Sequence, residues 1–145
     1  MQPTFYLVSG ATAYLISGQA SGLTNNSLRL AAADYVNASG YLMGLFEWVG
    51  GGSVLSYTAS TSISLWLLQG VTSGTYEDGA SGFTPSRVPD VVFPLVSGSL
   101  RVTRIARLPP GPIRTLIKND GTGVTLNGSG VIVSMLPITF QGTSG

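Results

Sequence analysis

The chain has 145 residues, which fits one domain with a hydrophobic core of ordinary size. It contains no cysteine and no histidine, which excludes disulfides, thiolate nucleophiles, the commonest general base and the usual zinc ligands. Seven basic and six acidic residues leave it nearly neutral, so it has no electrostatic footprint for nucleic acid. The low charge indicates either a surface largely covered by other subunits or a Ser/Thr-rich β protein that folds alone.

Two long stretches, Met1–Leu28 and Trp48–Tyr76, carry no charge. Gly, Ser and Thr interrupt both stretches, so neither provides the run of about 20 apolar residues that a transmembrane helix needs. The first residues include no basic segment, and no signal peptide is expected. The sequence therefore predicts no contact with a membrane.

Glycine and proline divide the chain into short segments rich in β-branched and aromatic residues, the pattern of strands joined by turns. No segment has an apolar stripe of helical period. The pattern predicts nine strands: Phe5–Val8, Ala13–Ile16, Leu28–Val36, Tyr41–Val49, Ser62–Gln69, Val91–Val96, Leu100–Leu108, Ile113–Asn119 and Val131–Thr139.

The turns between these strands have recognisable chemistry. Residues 119–123 tolerate a positive φ, Asn127-Gly128 is the strongest hairpin signal, and residues 109–112 (Pro-Pro-Gly-Pro) form a rigid corner. The segment Gly70–Asp90 lacks apolar periodicity and is expected to be a surface loop. We predict one all-β domain over residues 1–145, a two-sheet, jelly-roll-like sandwich of eight to nine short strands. The segment of about 1–38 is expected to form edge strands or an arm.

Alternation within the strands predicts which faces are buried. Ile63, Leu65 and Leu67 share one face and should point into the core, whereas Trp66 on the other face is either a second-layer packing residue or an interface anchor. Residues 131–140 are apolar on both faces, which suits the middle of a sandwich or a subunit interface.

Catalytic constellations are hard to assemble from this sequence. The six acids show no spacing typical of a glycosidase pair, and a serine nucleophile would have only Lys118 or a carboxylate as its base. Glu77, Asp78, Asp90 and Asp120 lie in loops that could hold calcium, but acidic residues also favour turns for backbone reasons. We predict that the protein is not an enzyme and uses no cofactor or metal.

Charge is distributed unevenly along the chain. Residues 1–90 have five acids and two bases, and residues 91–145 have five bases and one acid. Arg101 and Arg107 share one strand face, whereas Arg104 points the other way and is expected to pair within the domain, with Glu47 as a candidate partner. Arginine is enriched at interfaces, so either a subunit contact or a solvated strand face explains the cluster. The candidate interface residues are Arg101, Arg107, Arg114 and Trp66.

The last hundred residues resemble a group of minor virion proteins of tailed bacteriophages. The resemblance rests on an ordered set of short motifs: Gly40–Met43 with Phe46-Glu47, the Leu65–Leu68 strand with Thr75–Gly79, Val92–Leu95, and Leu108–Gly111 with Ile117–Asn119. A second Asp usually precedes the Gly-Thr of the Tyr-Glu-Asp loop, and Ser73 occupies that position here. The resemblance implies a non-enzymatic component of a phage particle.

Two roles are compatible with that resemblance. The first is a capsid decoration, or cement, protein that binds the major capsid protein on the outside of the head as a homo-oligomer, with a trimer expected. The second is a tail or fibre module that binds host glycans, with aromatic candidates Trp48, Tyr57, Trp66, Tyr76 and Phe83. Either protein would be found in the virion, and the absence of cysteine agrees with assembly in the reducing cytoplasm of a bacterial host.

Overall fold

The structure is a computed structural model that describes residues 4–50, 61–72, 75–77, 83–95, 101–126 and 131–143. These residues form ten strands and no helix, so this part of the chain holds no helix able to cross a membrane. The strands are β1 (Thr4–Ser9), β2 (Ala13–Ser17), β3 (Leu28–Asn37), β4 (Met43–Gly50), β5 (Thr61–Thr72), β6 (Thr75–Tyr76), β7 (Val91–Leu95), β8 (Arg101–Arg107), β9 (Gly111–Asp120) and β10 (Val131–Thr143).

The strands form two antiparallel sheets of five strands each. The first sheet has the order β1-β10-β4-β8, with β2 also paired to β10, and the second has the order β3-β9-β5-β6, with β7 also paired to β5. Without β1 and β6, the two orders are β2-β10-β4-β8 and β3-β9-β5-β7, which is the strand order of an eight-stranded jelly roll. The predicted all-β, two-sheet sandwich is therefore confirmed.

The described residues form ten strands instead of the eight to nine predicted. Each predicted strand matches one strand of the structure, and β6 is the addition. It lies in the segment expected to be a loop, where it pairs with Gly70 and Thr72 of β5. Two residues are too few to show an alternation, which is why the sequence pattern missed it. The predicted Asn127-Gly128 turn lies outside the described residues.

The N-terminal strands lie at the edges of the sheets. β1 and β2 follow one another along the same side of β10, and β3 flanks β9 at the edge of the second sheet. All three N-terminal strands therefore pair with strands from later parts of the chain, β10 or β9.

The core lies between the two sheets and follows the period-two alternation of the strands. Ile63, Leu65 and Leu67 are buried in it, as predicted, and Phe46 and Trp48 of β4 face them from the first sheet. Gly44 has no side chain because a Cβ there would lie 2.8 Å from the Phe46 ring and 2.9 Å from Met135. The ring of Phe46 therefore occupies the space that a side chain at position 44 of the same strand would need.

We predict that Phe46→Ala lowers the free energy of unfolding by about 3–5 kcal/mol, because Phe46 is fully buried and its removal leaves a cavity. Ile105→Ala, at a site 59% exposed, should cost less than about 1 kcal/mol. Urea unfolding followed by circular dichroism measures both values. Equal losses for the two variants would contradict the assignment of the core.

Candidate assembly surface

The first sheet has an outer face, which we define as the side chains of β1, β2, β4, β8 and β10 that point away from the second sheet. Leu136, Leu45 and Ile105 lie opposite one another across three neighbouring strands and form an apolar row at its centre. Ile105 is 59% exposed, and Leu45 and Leu136 are half-buried. The sheet therefore presents apolar side chains on both sides, one side to the core and the other to solvent.

The same face continues to the end of the sheet where β1 pairs with the last part of β10. Phe5 is 69%, Leu7 is 55% and Phe140 is 64% exposed, and Leu7 lies directly opposite Phe140. β10 pairs with β4 only over residues 131–138. Among the described strands, only β1 therefore pairs with residues 139–143 of β10. An extended two-stranded ribbon of this kind is marginally stable in water unless something packs against it.

The outside of the second sheet is partly closed by its own side chains, and Val36 and Val92 are exposed there. Trp66, Leu68 and Leu116 form a second buried cluster on this side, and Leu28, Leu30 and Tyr76 pack against it. Trp66 is 3% exposed, and its indole Nε1 donates a hydrogen bond of 2.9 Å to the carbonyl oxygen of Arg87. Of the two roles predicted for Trp66, the structure thus shows second-layer packing.

Two of the candidate interface arginines, Arg101 and Arg107, lie at the rim of the outer face. Arg101 forms a salt bridge of 3.2 Å with Glu47, so the expected Arg104–Glu47 pair is wrong. Glu47 stands opposite Thr103 in the register, on the same face as Arg101 and on the opposite face from Arg104. Among the described residues, Arg104 and Arg107 form no salt bridge.

The third candidate interface arginine, Arg114, is held inside the domain. Its guanidinium binds the carboxylate of Asp34, and its Cζ lies 5.2 Å from the centre of the Tyr76 ring. The Tyr76 hydroxyl donates to the same carboxylate. The hydrogen bond from Tyr76, together with Arg114, holds the pKa of Asp34 below its ordinary value even though desolvation acts in the other direction. Arg114 therefore joins β9 to β3 and β6 within one chain.

A second charged cluster completes the hydrogen bonding of β5. β7 and β6 pair with the two ends of that strand, and between them side chains take the place of a neighbouring strand. Asp90 accepts from the Leu67 N–H at 2.7 Å, Glu77 accepts from the Gln69 N–H at 3.1 Å, and Arg87 donates to the Leu67 carbonyl at 3.1 Å. This explains why residues without apolar periodicity nevertheless adopt a defined position.

Arg87 links the two acids of this cluster. It lies 2.8 Å from Glu77 and 2.8 Å from Asp90. Burial alone would lower the pKa of Arg87, but hydrogen bonds to the two carboxylates and the attraction of their charges together outweigh burial and raise that pKa. Two acids of the loop predicted as a possible calcium site thus bind an arginine. The sequence pattern did not indicate this role of Arg87, because its partners lie up to 20 residues away along the chain.

Each of the five described carboxylates has a cationic partner within 3.5 Å: Asp34, Glu47, Glu77, Asp90 and Asp120. The described residues include no group of three side chains arranged to hold a metal ion. These acids therefore serve as ion-pair partners and hydrogen-bond acceptors in the fold, and Asp78 lies outside the described residues.

The aromatic residues predicted as glycan ligands are scattered or buried. Trp48 is fully buried, Trp66 packs in the second cluster, and Tyr76 is bonded to Asp34. Phe83 is 71% exposed, and Tyr57 lies outside the described residues. Phe83 is therefore the one exposed residue among the four described glycan candidates.

Comparisons with protein-family models, with curated proteins and with solved structures give no match. The outer face and the residues that surround it are then the structural features of the chain that bear on its function.

We predict that Asp34→Asn lowers the free energy of unfolding by about 1.5–3 kcal/mol at pH 7, because it removes a charged acceptor shared by Tyr76 and Arg114. Since the pKa of Asp34 is lowered on folding, its stabilising effect is full above the unfolded value of about 3.9 and is lost as the pH falls through the folded value. The difference between variant and parent should therefore be large at pH 7 and shrink towards pH 2.

Urea unfolding at the two pH values measures this difference. Asp120→Asn is the matched control, because its 3.5 Å pair with Lys118 is more exposed and should contribute less than about 1 kcal/mol. A loss for Asp34→Asn that is the same at both pH values would contradict an electrostatic role for the carboxylate.

Proposed function

We propose that the protein is a non-enzymatic structural subunit of a virus particle, a decoration protein bound to the major capsid protein on the outside of a tailed-phage head. The observation that carries the proposal is the outer face, where the apolar row of Leu136, Leu45 and Ile105 is open to solvent. The phage assignment itself is supported by the resemblance in the last hundred residues.

The chemistry of the outer face favours a protein partner. Contiguous exposed apolar side chains on an otherwise well-packed domain mark interaction sites. Arg101 and Arg107 stand beside Val49 and Met43 at the two ends of β8, so the apolar centre is bordered by positive charge. Protein interfaces commonly combine an apolar centre with a polar rim and are enriched in arginine. The partner surface should accordingly be apolar with acidic residues at its edge.

The jelly-roll fold is compatible with either role, because both viral capsid proteins and lectins use that architecture. The alternative, a tail or fibre module that binds glycans, needs aromatic platforms at the surface. Phe83 is the one exposed member among the described glycan candidates, so these candidates form no exposed aromatic platform in the part of the chain that the structure describes. The geometry thus supports the decoration role better than the glycan role.

We predict that Ile105→Asn weakens binding to heads assembled without this protein by at least about tenfold. Burial of a large aliphatic side chain contributes about 1.5–3 kcal/mol, and 1.4 kcal/mol corresponds to a tenfold change in affinity. Co-sedimentation of purified protein with such heads, followed by gel quantification of the bound fraction, measures the effect.

Val88→Asn is the matched control, because Val88 is 81% exposed and precedes β7, a strand of the second sheet. It should bind like the parent. A folded Ile105→Asn variant that binds as well as the parent would exclude the outer face as the contact. Binding of the parent to tails and not to heads would favour the tail module.

A further inference from the structure

The two outer edges of the first sheet differ in chemistry. β1 has the sequence TFYLVS with no charged residue, and the described contacts of this strand run to β10. β8, at the opposite edge, carries Arg101, Arg104 and Arg107. Charged side chains are a common device that prevents an edge strand from pairing with another chain. By that criterion β8 is a protected edge and β1 is not.

The backbone direction of β1 follows from one hydrogen bond. Gly10 N–H donates to the carbonyl oxygen of Pro137 on β10 at 2.9 Å, in register with the β1–β10 ladder. Successive residues of a strand direct their backbone groups to opposite sides, so Phe5, Leu7 and Ser9 direct theirs away from β10. Among the described strands only β10 pairs with β1, so three residues of β1 present N–H and C=O groups along an edge that is free in this part of the chain.

We propose that β1 is a self-association edge that pairs antiparallel with β1 of a second copy, around a two-fold axis at Leu7. This register places Leu7 opposite Leu7 and Phe5 opposite Ser9, and it uses all the free backbone groups of these three residues. It also forms one row of side chains across four neighbouring strands. The row runs from Phe140 and Leu7 of one copy to Leu7 and then Phe140 of the second copy. The exposed apolar side chains of each ribbon thereby gain a neighbour.

Other pairings of the free edges fit less well. Pairing β8 with a second β8 would set arginine against arginine, which is repulsive. Pairing β1 with β8 of the next copy would shift each copy along the strand direction. β8 stands level with β10 residues 132–138, whereas β1 pairs with residues 138–143. A repeated shift of this kind builds an open helical array instead of a closed oligomer.

The test uses the full chain alone, without heads, so its outcome is independent of the proposed function. Light scattering after size exclusion should give twice the chain mass of 15.0 kDa for the parent at micromolar concentration. Leu7→Pro should give the monomer mass, since proline removes a free-edge N–H but no bond of the β1–β10 ladder. Ile105→Asn should remain a dimer, although the outer-face proposal expects it to lose binding to heads.

A cross-link tests the register, because the chain contains no cysteine of its own. Leu7→Cys should form a disulfide-linked dimer on oxidation, since opposite residues in an antiparallel pair lie within bridging range. Ile105→Cys, at a similarly exposed site, should remain uncross-linked. A monomeric parent, a parent of trimer mass, a dimeric Leu7→Pro variant, or equal cross-linking at both positions would each overturn the proposal.

Discussion

The structure depends on one long strand whose two faces are both apolar. β10 supports β4 on one side and β1 and β2 on the other, so it connects every other strand of the first sheet except β8. Its period of two sends Val133 and Met135 into the core and leaves Leu136 and Phe140 outside. A strand that holds the sandwich together therefore also creates the apolar surface that the sandwich cannot cover.

The fold was largely predictable from the sequence because its information is local. Alternation at Ile63, Leu65 and Leu67 and the turn chemistry between strands located all nine predicted strands. The ion pairs were not predictable, because Arg114 and Asp34 are separated by 80 residues and meet only once β9 has paired with β3. The apolar pattern of β10 did indicate a strand covered on both faces, but it could not say which face the chain itself covers.

Several of the unevenly distributed charges pair within the domain. The acids of the first part and the bases of the second do complement each other, but Asp34–Arg114 and Glu47–Arg101 do so within one chain. This internal pairing leaves Arg29, Arg104 and Arg107 as the described arginines without a salt bridge. In the proposed contact, long-range electrostatics would then contribute little, and apolar area with local arginine contacts would determine the partner.

The two proposed contacts are compatible because they use different parts of the same sheet. A two-fold axis through Leu7 perpendicular to the sheet leaves the outward direction of the outer face unchanged in both copies. A pair joined at β1 would thus present two outer faces to one side, as attachment to a regular surface requires. Two linked contacts bind far more tightly than one when both sites can be reached together. Self-association at β1 would therefore let a modest apolar contact around Ile105 hold the protein firmly on a particle with repeated sites.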